Sequence, residues 1–452
     1  MNPDSETRDE TDGADSAEGR GAEWPSFEKI ATCVHCGLCL EACPTYRDLR
    51  VEMDSPRGRI YLMKGLRQKT IAPTPTVLAH LDQCLDCRAC ETACPSGVEY
   101  AHILEKTRTA LQPARPQSPA GRFVRWFAFS ALLPHRWLQW LVFKLLWLQQ
   151  ALGLARLGAW LGRRGLLPGR LSAAAAQAPL IPFRSFRAEN AAARDSQRDV
   201  LFFPALGNRR RRVALFTGCL ADQLFADVNR ATVRVLTENG CDVDVIAGER
   251  CCGALHIHNG ARDDAKALAR ANIAAFAASG PYDAVVSNAA GCSAELRHYS
   301  ELLDGAPAAV AFGAQVRDVC EFLGELGLRP PTGPARRQMK VAYDEPCHLL
   351  HAQKISNPPK DVLRSIPGVT LVPLEDADTC CGSAGVYSLL QPALSGRIAA
   401  RKIDAIKRSG ADVVATGNPG CLMQIQNGVR AAGLPVTVVH PVQLLADAYE
   451  DA

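Results

Sequence analysis

Several things are missing from this chain. It opens on the polar stretch MNPDSETRDE, with no apolar export segment. The chain is therefore expected to stay in a reducing compartment, where clustered thiols serve as metal ligands rather than as disulfides. No glycine-rich dinucleotide motif follows a strand-like run and there is no P-loop, which excludes a recognisable flavin or nicotinamide site. A net charge of only +4 over 452 residues leaves no electrostatic footprint for nucleic acid. Residues 106–188 contain no Asp or Glu at all. What the chain has in excess is cysteine, 18 in number.

The length suggests about three domains of ordinary size. Residues 1–23 are polar, without apolar period, and read as a disordered tail. Residues 24–112 hold two copies of C-x2-C-x2-C-x3-C-P: Cys33, Cys36, Cys39 and Cys43 before Pro44, then Cys84, Cys87, Cys90 and Cys94 before Pro95. This spacing lets three thiolates on a tight loop hold three corners of a [4Fe-4S] cubane while the fourth reaches the other cluster. On that crossed pattern Cys33, Cys36, Cys39 and Cys94 hold the first cluster, and Cys84, Cys87, Cys90 and Cys43 the second. A pair of structural zinc sites is the alternative, although zinc usually takes two C-x2-C pairs across a long loop. Between the motifs lies SPRGRI, Ser55 to Ile60, whose arginines either neutralise cluster charge or sit on a solvated turn.

Residues 113–208 form a basic linker that carries five of the six tryptophans, Trp126, Trp137, Trp140, Trp147 and Trp160. Trp137, Trp140, Leu141, Lys144 and Leu145 recur at helical intervals. Gln139, Lys144, Gln149, Gln150 and Arg156 interrupt the apolar run too often for a membrane span. Such helices suit an anionic headgroup layer, a partner subunit, or a buried hairpin between two domains.

The remainder is an internal repeat, 209–330 and 338–450. From Cys219 to Cys347 is 128 residues, and from Cys251 to Cys380 and Cys292 to Cys421 is 129 each. That agreement indicates duplication. Each half alternates apolar strands with helices, the pattern of an α/β unit with a mainly parallel sheet, and its cysteines fall where strands end or helices begin. Four thiols per half can thus meet at one rim: Cys219, Cys251, Cys252 and Cys292, then Cys347, Cys380, Cys381 and Cys421. They would hold an iron-sulfur cluster or zinc. Gly253 and Gly382 suit close approach of a bulky inorganic group to the backbone. His256, His258, His348 and His351 flank these thiols as further candidates, whereas Cys241 and Cys320 read as buried structural thiols.

The C-x31-C-C-G-x38-C pattern resembles the cysteine-rich CCG domain of the heterodisulfide reductases and their relatives. The order of two ferredoxin motifs, linker and two CCG domains resembles the iron-sulfur subunits of glycolate oxidase, also called glycolate dehydrogenase. The nearest relatives of those subunits are the iron-sulfur subunits of lactate-utilisation and anaerobic glycerol-3-phosphate dehydrogenase systems. The expected fold is multidomain, α+β and α/β: a helical two-cluster ferredoxin-like domain, a helical linker, and two duplicated α/β domains. Complete CCG domains end in C-x2-C and can bind a non-cubane cluster through five cysteines; here Ala289 and Asn418 stand where the first cysteine of that pair would be.

The resemblance implies an oxidoreductase subunit that transfers electrons. Glycolate would be oxidised to glyoxylate by flavin-binding partner subunits, with FAD there only, and this chain would pass the electrons to a membrane acceptor, a quinone. It implies a place in the cytoplasm, peripheral to the inner membrane. The alternatives are service to a lactate or glycerol-3-phosphate dehydrogenase, or direct reduction of a disulfide or quinone at the CCG sites.

Overall fold

The computed structural model describes residues 24–450 except 116, 155–157, 159, 162–163, 165–178 and 336. The tail expected over 1–23 and the end of the Trp-rich run lie outside the described residues. Described residues from Trp24 to Arg115 make helices and tight turns with no strand. The helix Pro56–Arg67 starts where the Ser55 hydroxyl accepts from the Gly58 N–H and Pro56 fills its first turn. Its Ile60, Met63 and Leu66, three residues apart, pack on Leu81, Ile103 and Leu104 in a small core. Cys90 belongs to that core, and Cys33, Cys39, Cys84 and Cys94 lie against it, so the thiols stand on the domain's apolar interior.

Two α/β units follow. The first sheet has the order β1-β2-β4-β3-β5-β6, with β1 Arg194–Asp195, β2 Val200–Phe203, β3 Arg211–Phe216, β4 Cys241–Ile246, β5 Ala284–Ser287 and β6 Val316–Asp318. The second has the order β10-β9-β7-β8, with β7 Met339–Asp344, β8 Val369–Val372, β9 Val413–Thr416 and β10 Thr437–Val439. Matching β3 to β6 with β7 to β10 gives one strand order and parallel pairing in both halves. The strands β3, β5, β7 and β9 are buried on both faces, which explains their unbroken apolar runs.

The first sheet begins earlier than the sequence reading placed it. β1 and β2 lie within the expected linker, yet β2 pairs antiparallel with β4, Phe203 opposite Val243. Pro204 and Gly207 after β2 read locally as a boundary, and only the long-range pairing draws this segment into the sheet. The linker also departs from the buried-hairpin alternative. In the helix Arg136–Ala151 only Gln139 is buried, while Trp126, Trp137 and Trp140 are exposed. Among the described residues no helix is long and apolar enough to cross a membrane. The turn between the linker helices docks inward, where Phe129 and Leu133 pack on Cys251 and Leu268.

The halves share one core, which joins Val213, Leu215 and Val243 to Val341, Val413 and Leu422. At their seam His440 is buried as a neutral ring. Its Nε2–H donates to the Asn288 carbonyl at 3.0 Å, and its Nδ1 accepts from the Val442 N–H at 3.2 Å. Burial holds its pKa down at about 4. A second proton would face the Val442 donor and charge a dry seam. Because the folded value lies below the unfolded one, about 6.5, this contribution is complete above pH 6.5 and is lost as pH falls towards 4. Stability should drop by about 3 kcal/mol between pH 7 and pH 4 from this group. Denaturant melts of His440→Gln, compared with wild type, should show a flatter pH profile over that window.

Candidate metal centres

The two ferredoxin motifs have the same backbone. His35 and Gly37 in the first, and Asp86 and Arg88 in the second, take left-handed φ values at matching positions and curl each loop around its thiols. Two cavities result. One is bounded by Cys33, Cys36, Cys39 and Cys94, the other by Cys43, Cys84, Cys87 and Cys90, so each motif contributes its fourth thiol to the other's cavity. Cys43 makes that exchange from the start of the helix Pro44–Leu49.

The arginines of SPRGRI are placed by this geometry. Arg57 lines the first cavity and donates to the His35 carbonyl at 3.1 Å while paired with Glu52. Arg59 lines the second and has no solvent exposure. It donates to Thr45 Oγ1 at 3.0 Å and to the His80 carbonyl at 2.7 Å, and faces Asp54 at 3.4 Å. Arg59 therefore sits on no solvated turn; it is a buried cation beside Cys43 and Cys84. Burial pushes the Cys84 thiol up, and Arg59 and Arg108 pull it back towards the thiolate. Sulfur also accepts from the Asp86 N–H at 3.4 Å and the Tyr100 hydroxyl at 3.6 Å.

In the repeats, three loops at the carboxyl rim of each sheet bring four thiols together. Cys219 begins the helix after β3, Cys251 and Cys252 precede the helix Ala254–His258, and Cys292 lies in the first turn after β5. The second half repeats this after β7 and β9, with Cys347 and Cys421 flanking Cys380 and Cys381. The sulfurs form open strings. Cys219 is 3.4 Å from Cys251, Cys252 is 3.3 Å from Cys292, and Cys381 is 3.3 Å from Cys421, all beyond disulfide length.

The two strings have different supports. In the first, buried Glu249 accepts from the Thr217 and Gly218 N–H groups and is paired with Arg187 at 2.7 Å and with linker Arg136 at 3.1 Å. It ties the Cys219 turn to the Cys251 loop. In the second, buried Lys402 spans Asp344, at 2.9 Å, and the carbonyls of Asp376 and Ala377, just before Cys380. Burial works against the Lys402 charge, but Asp344 holds its ammonium above the ordinary range, and it faces Cys381 and Cys421. Glu249 stands two residues before Cys251, its only sequence signal, and Lys402 carried none.

Four thiolates suit an iron-sulfur cluster or a zinc ion. Tetrahedral zinc with bonds of about 2.3 Å would hold all four sulfurs about 3.8 Å apart, whereas among the described residues no three cysteine sulfurs lie mutually within 4.8 Å. The ferredoxin thiols border two cages, as a polynuclear group requires, while neighbouring sulfurs of the repeats stand 3.3 to 3.4 Å apart. N–H donors also point at sulfur, as at Cys380 Sγ from Gly382 at 3.5 Å. Asn418 accounts for the missing fifth thiol. Its Nδ2 donates to Cys421 Sγ at 3.5 Å and its Oδ1 accepts from the Gly291 N–H of the other half at 3.2 Å.

The candidate histidines separate. His348 lies 3.6 Å from Cys347 Sγ, and its ring centroid is 5.3 Å from that of His258. His258 pairs with Asp86 at 3.1 Å and Glu105 at 3.2 Å, which locks the first repeat to the ferredoxin domain. His256 is held by the Phe129 carbonyl, and His351 by Thr92 and the Asp378 carbonyl. Cys241 and Cys320 are buried in the shared core. Both glycines behind the paired cysteines take a left-handed backbone, and one is further confined by packing. Gly382 has φ +87°, and a Cβ there would stand 2.8 Å from the Ser395 carbonyl of the next helix. Gly253, at φ +94°, would meet only Ala265 at ordinary distance.

A helical domain with two four-thiol cages, the second facing the second of two duplicated cysteine-rich α/β units, defines an iron-sulfur protein. Family models agree with these parts: a 4Fe-4S dicluster domain matches residues 29–98, and a cysteine-rich domain matches 213–297 and again 341–426. The linker region of glycolate oxidase iron-sulfur subunits matches 120–178. The chain is 37% identical to a probable glycolate oxidase iron-sulfur subunit of Bacillus subtilis, over 93% of this chain and 94% of that one. It is 31% identical to the glycolate oxidase iron-sulfur subunit of Escherichia coli over the same shares. Lactate utilization protein A of Exiguobacterium is 31% identical over 53% of this chain and 99% of that one. The chain belongs to the family of glycolate oxidase iron-sulfur subunits.

Two outcomes test this geometry. Gly253→Ala should cost about 1 kcal/mol, the strain of a left-handed φ, whereas Gly382→Ala adds a backbone clash and should cost more than about 2 kcal/mol in thermal melts. Equal costs would remove the clash from the account. With clusters in place, Arg59→Gln should lower the reduction potential at Cys43/Cys84/Cys87/Cys90 by on the order of 100 mV in redox titrations followed by electron paramagnetic resonance. Arg59→Lys should lower it far less.

Proposed function

We propose that the chain is the electron-transfer subunit of a glycolate dehydrogenase complex, carrying electrons singly from a flavin-bearing partner to a membrane acceptor of the quinone class. Cys33, Cys36, Cys39 and Cys94 would hold one [4Fe-4S] cluster and Cys43, Cys84, Cys87 and Cys90 a second. Cys347, Cys380, Cys381 and Cys421 would hold a further cluster, and Cys219, Cys251, Cys252 and Cys292 are the matching set in the first half. Bound clusters supply reversible one-electron chemistry over roughly −700 to +450 mV.

The observation that carries this reading is one buried apolar group that contains Cys87, Leu85 and Ala89 together with Cys380, Tyr387 and Leu394, with Cys347 packed against it. It keeps water out between the second ferredoxin cage and the second repeat, which favours a continuous path across the domain boundary. The first cage lies outward. Cys36 is exposed, and Val34 and Leu38 beside it are 68% and 64% exposed, a surface suited to the flavin partner. Exposed Trp137 and Trp140 near Lys144, on a segment without acidic residues, support a peripheral seat on an anionic membrane surface.

Full-length likeness to glycolate oxidase subunits, against about half the chain for lactate utilization protein A, favours glycolate over lactate as the substrate of the complex. Asn418, tied into the seam of the repeats, argues against direct disulfide reduction at a five-thiol site. In the assembled complex, Cys380→Ser should reduce iron below the wild-type content, itself above about eight per chain. Electron delivery to quinone should fall at least about tenfold while dye-linked glycolate oxidation by the flavin partner persists. Loss of both activities, or eight iron atoms in wild type, would sink the relay.

A further inference from the structure

A cavity of about 540 Å³ lies where all four parts of the chain meet. Ferredoxin residues Leu78, Leu85 and Arg108 form one wall, linker Arg125 another, His258 of the first repeat a third, and Val386 and Tyr387 of the second a fourth. Cys84 borders both this cavity and the cage of Cys43, Cys84, Cys87 and Cys90. Anything bound here would touch a thiol of the cage itself.

The lining states what would fit. Its volume lies in the range of sites for molecules of drug or cofactor size and far exceeds a two-carbon hydroxy acid. Two arginines of the wall are already engaged. Arg115 grips Asp82 at 2.6 and 2.7 Å, and Arg108 donates to the carbonyls of Leu81, Cys84 and His258. Arg125 lies over the Phe129 ring, 5.3 Å from its centroid, and Asp82 and Asp86 in the same wall disfavour a carboxylate. The wall's polar atoms without a hydrogen-bond partner, Arg115 Nε and Gln112 Oε1 among them, are sealed beneath its surface, so what faces the cavity is mainly apolar, with Leu78, Leu85, Val386 and Tyr387. At the rim Leu390 is 66% exposed, and on the helix that carries Arg125 the flanking Val124 and Trp126 are 63% and 56% exposed. A flat apolar body with an apolar tail leaving over that rim satisfies these features.

We propose that this cavity binds the electron acceptor, a quinone, with its ring against Leu78, Leu85 and Val386 beside Cys84 and its tail over the Leu390 rim. The inference rests on the electron-transfer reading above and locates its exit. Oxidation of the hydroxy acid in the complex supplies two electrons, which arrive singly past Cys84. With two protons from solvent at the rim they convert the two C=O groups to C–OH, and the quinone becomes a quinol.

The test uses the assembled complex and a short-tailed ubiquinone carrying a photoreactive azido group. Crosslinked peptides should map to residues 75–86, 108–117 or 384–391. Binding measured by titration calorimetry should weaken at least tenfold in Val386→Trp and in Ala79→Trp, which fill the cavity from two different walls, with iron content and melting temperature as checks on folding. Quinone binding that both variants leave unchanged, or labels confined to other segments, overturns this site while the relay stands. A complex that binds no quinone yet retains its iron and passes electrons to another acceptor overturns the site and the quinone acceptor together.

Discussion

A thiolate held away from water needs a compensating charge or a hydrogen bond, and this requirement organises the molecule. Sixteen of the 18 cysteines lie in four groups, and each group has its own support. Arg57 and Arg59 serve the ferredoxin cages, Lys402 serves the second string, and Arg136 and Arg187, gathered on Glu249, brace the first. Several of these cations are buried. Removing one would leave its carboxylate partner uncompensated as well as altering the thiols.

The same requirement explains why the domains close on one another. The second ferredoxin cage cannot remain dry on the small core of residues 24–112. Its open side is covered by Tyr387, Leu394 and Ile398 of the second repeat. Polar contacts fix the lid on both flanks. Arg47 pairs with Asp376, and Asp48 with Arg397 and Arg401, on the second repeat, while His258 joins Asp86 and Glu105 on the first. The linker takes part through Arg136 and Phe129 and leaves its tryptophans outside. Docking of the repeats against each other through His440, Asn288 and Asn418 fixes the two rims on which the strings stand.

Much of this was legible along the chain, because the signals are local. The doubled C-x2-C-x2-C-x3-C-P spacing specified two curled loops, and both curl at the same left-handed positions. The offset of 128 to 129 residues specified the duplication, which returns as one strand order in two sheets. The failures have a common cause. β1 and β2 were lost to the linker because their partner, β4, lies about forty residues on. The clash that a side chain at Gly382 would make had no sequence signal, because the carbonyl it would meet belongs to Ser395, in another element. A lone Lys402 inside an ordinary amphipathic helix has no pattern that separates it from its solvated neighbours.

By itself, then, the sequence determined the thiol inventory, its division into two ferredoxin motifs and a repeated set, and the α/β character of the repeats. Spacing within a few residues fixes loop geometry, and apolar periodicity fixes strands and helices. Only the tertiary structure decided which thiol cages face each other, which cations enter the dry interior, and that a cavity forms beside Cys84 where four parts of the chain converge. Those choices depend on contacts between residues tens to hundreds of positions apart. They are set by which apolar surfaces must be buried together, and no local pattern encodes that pairing.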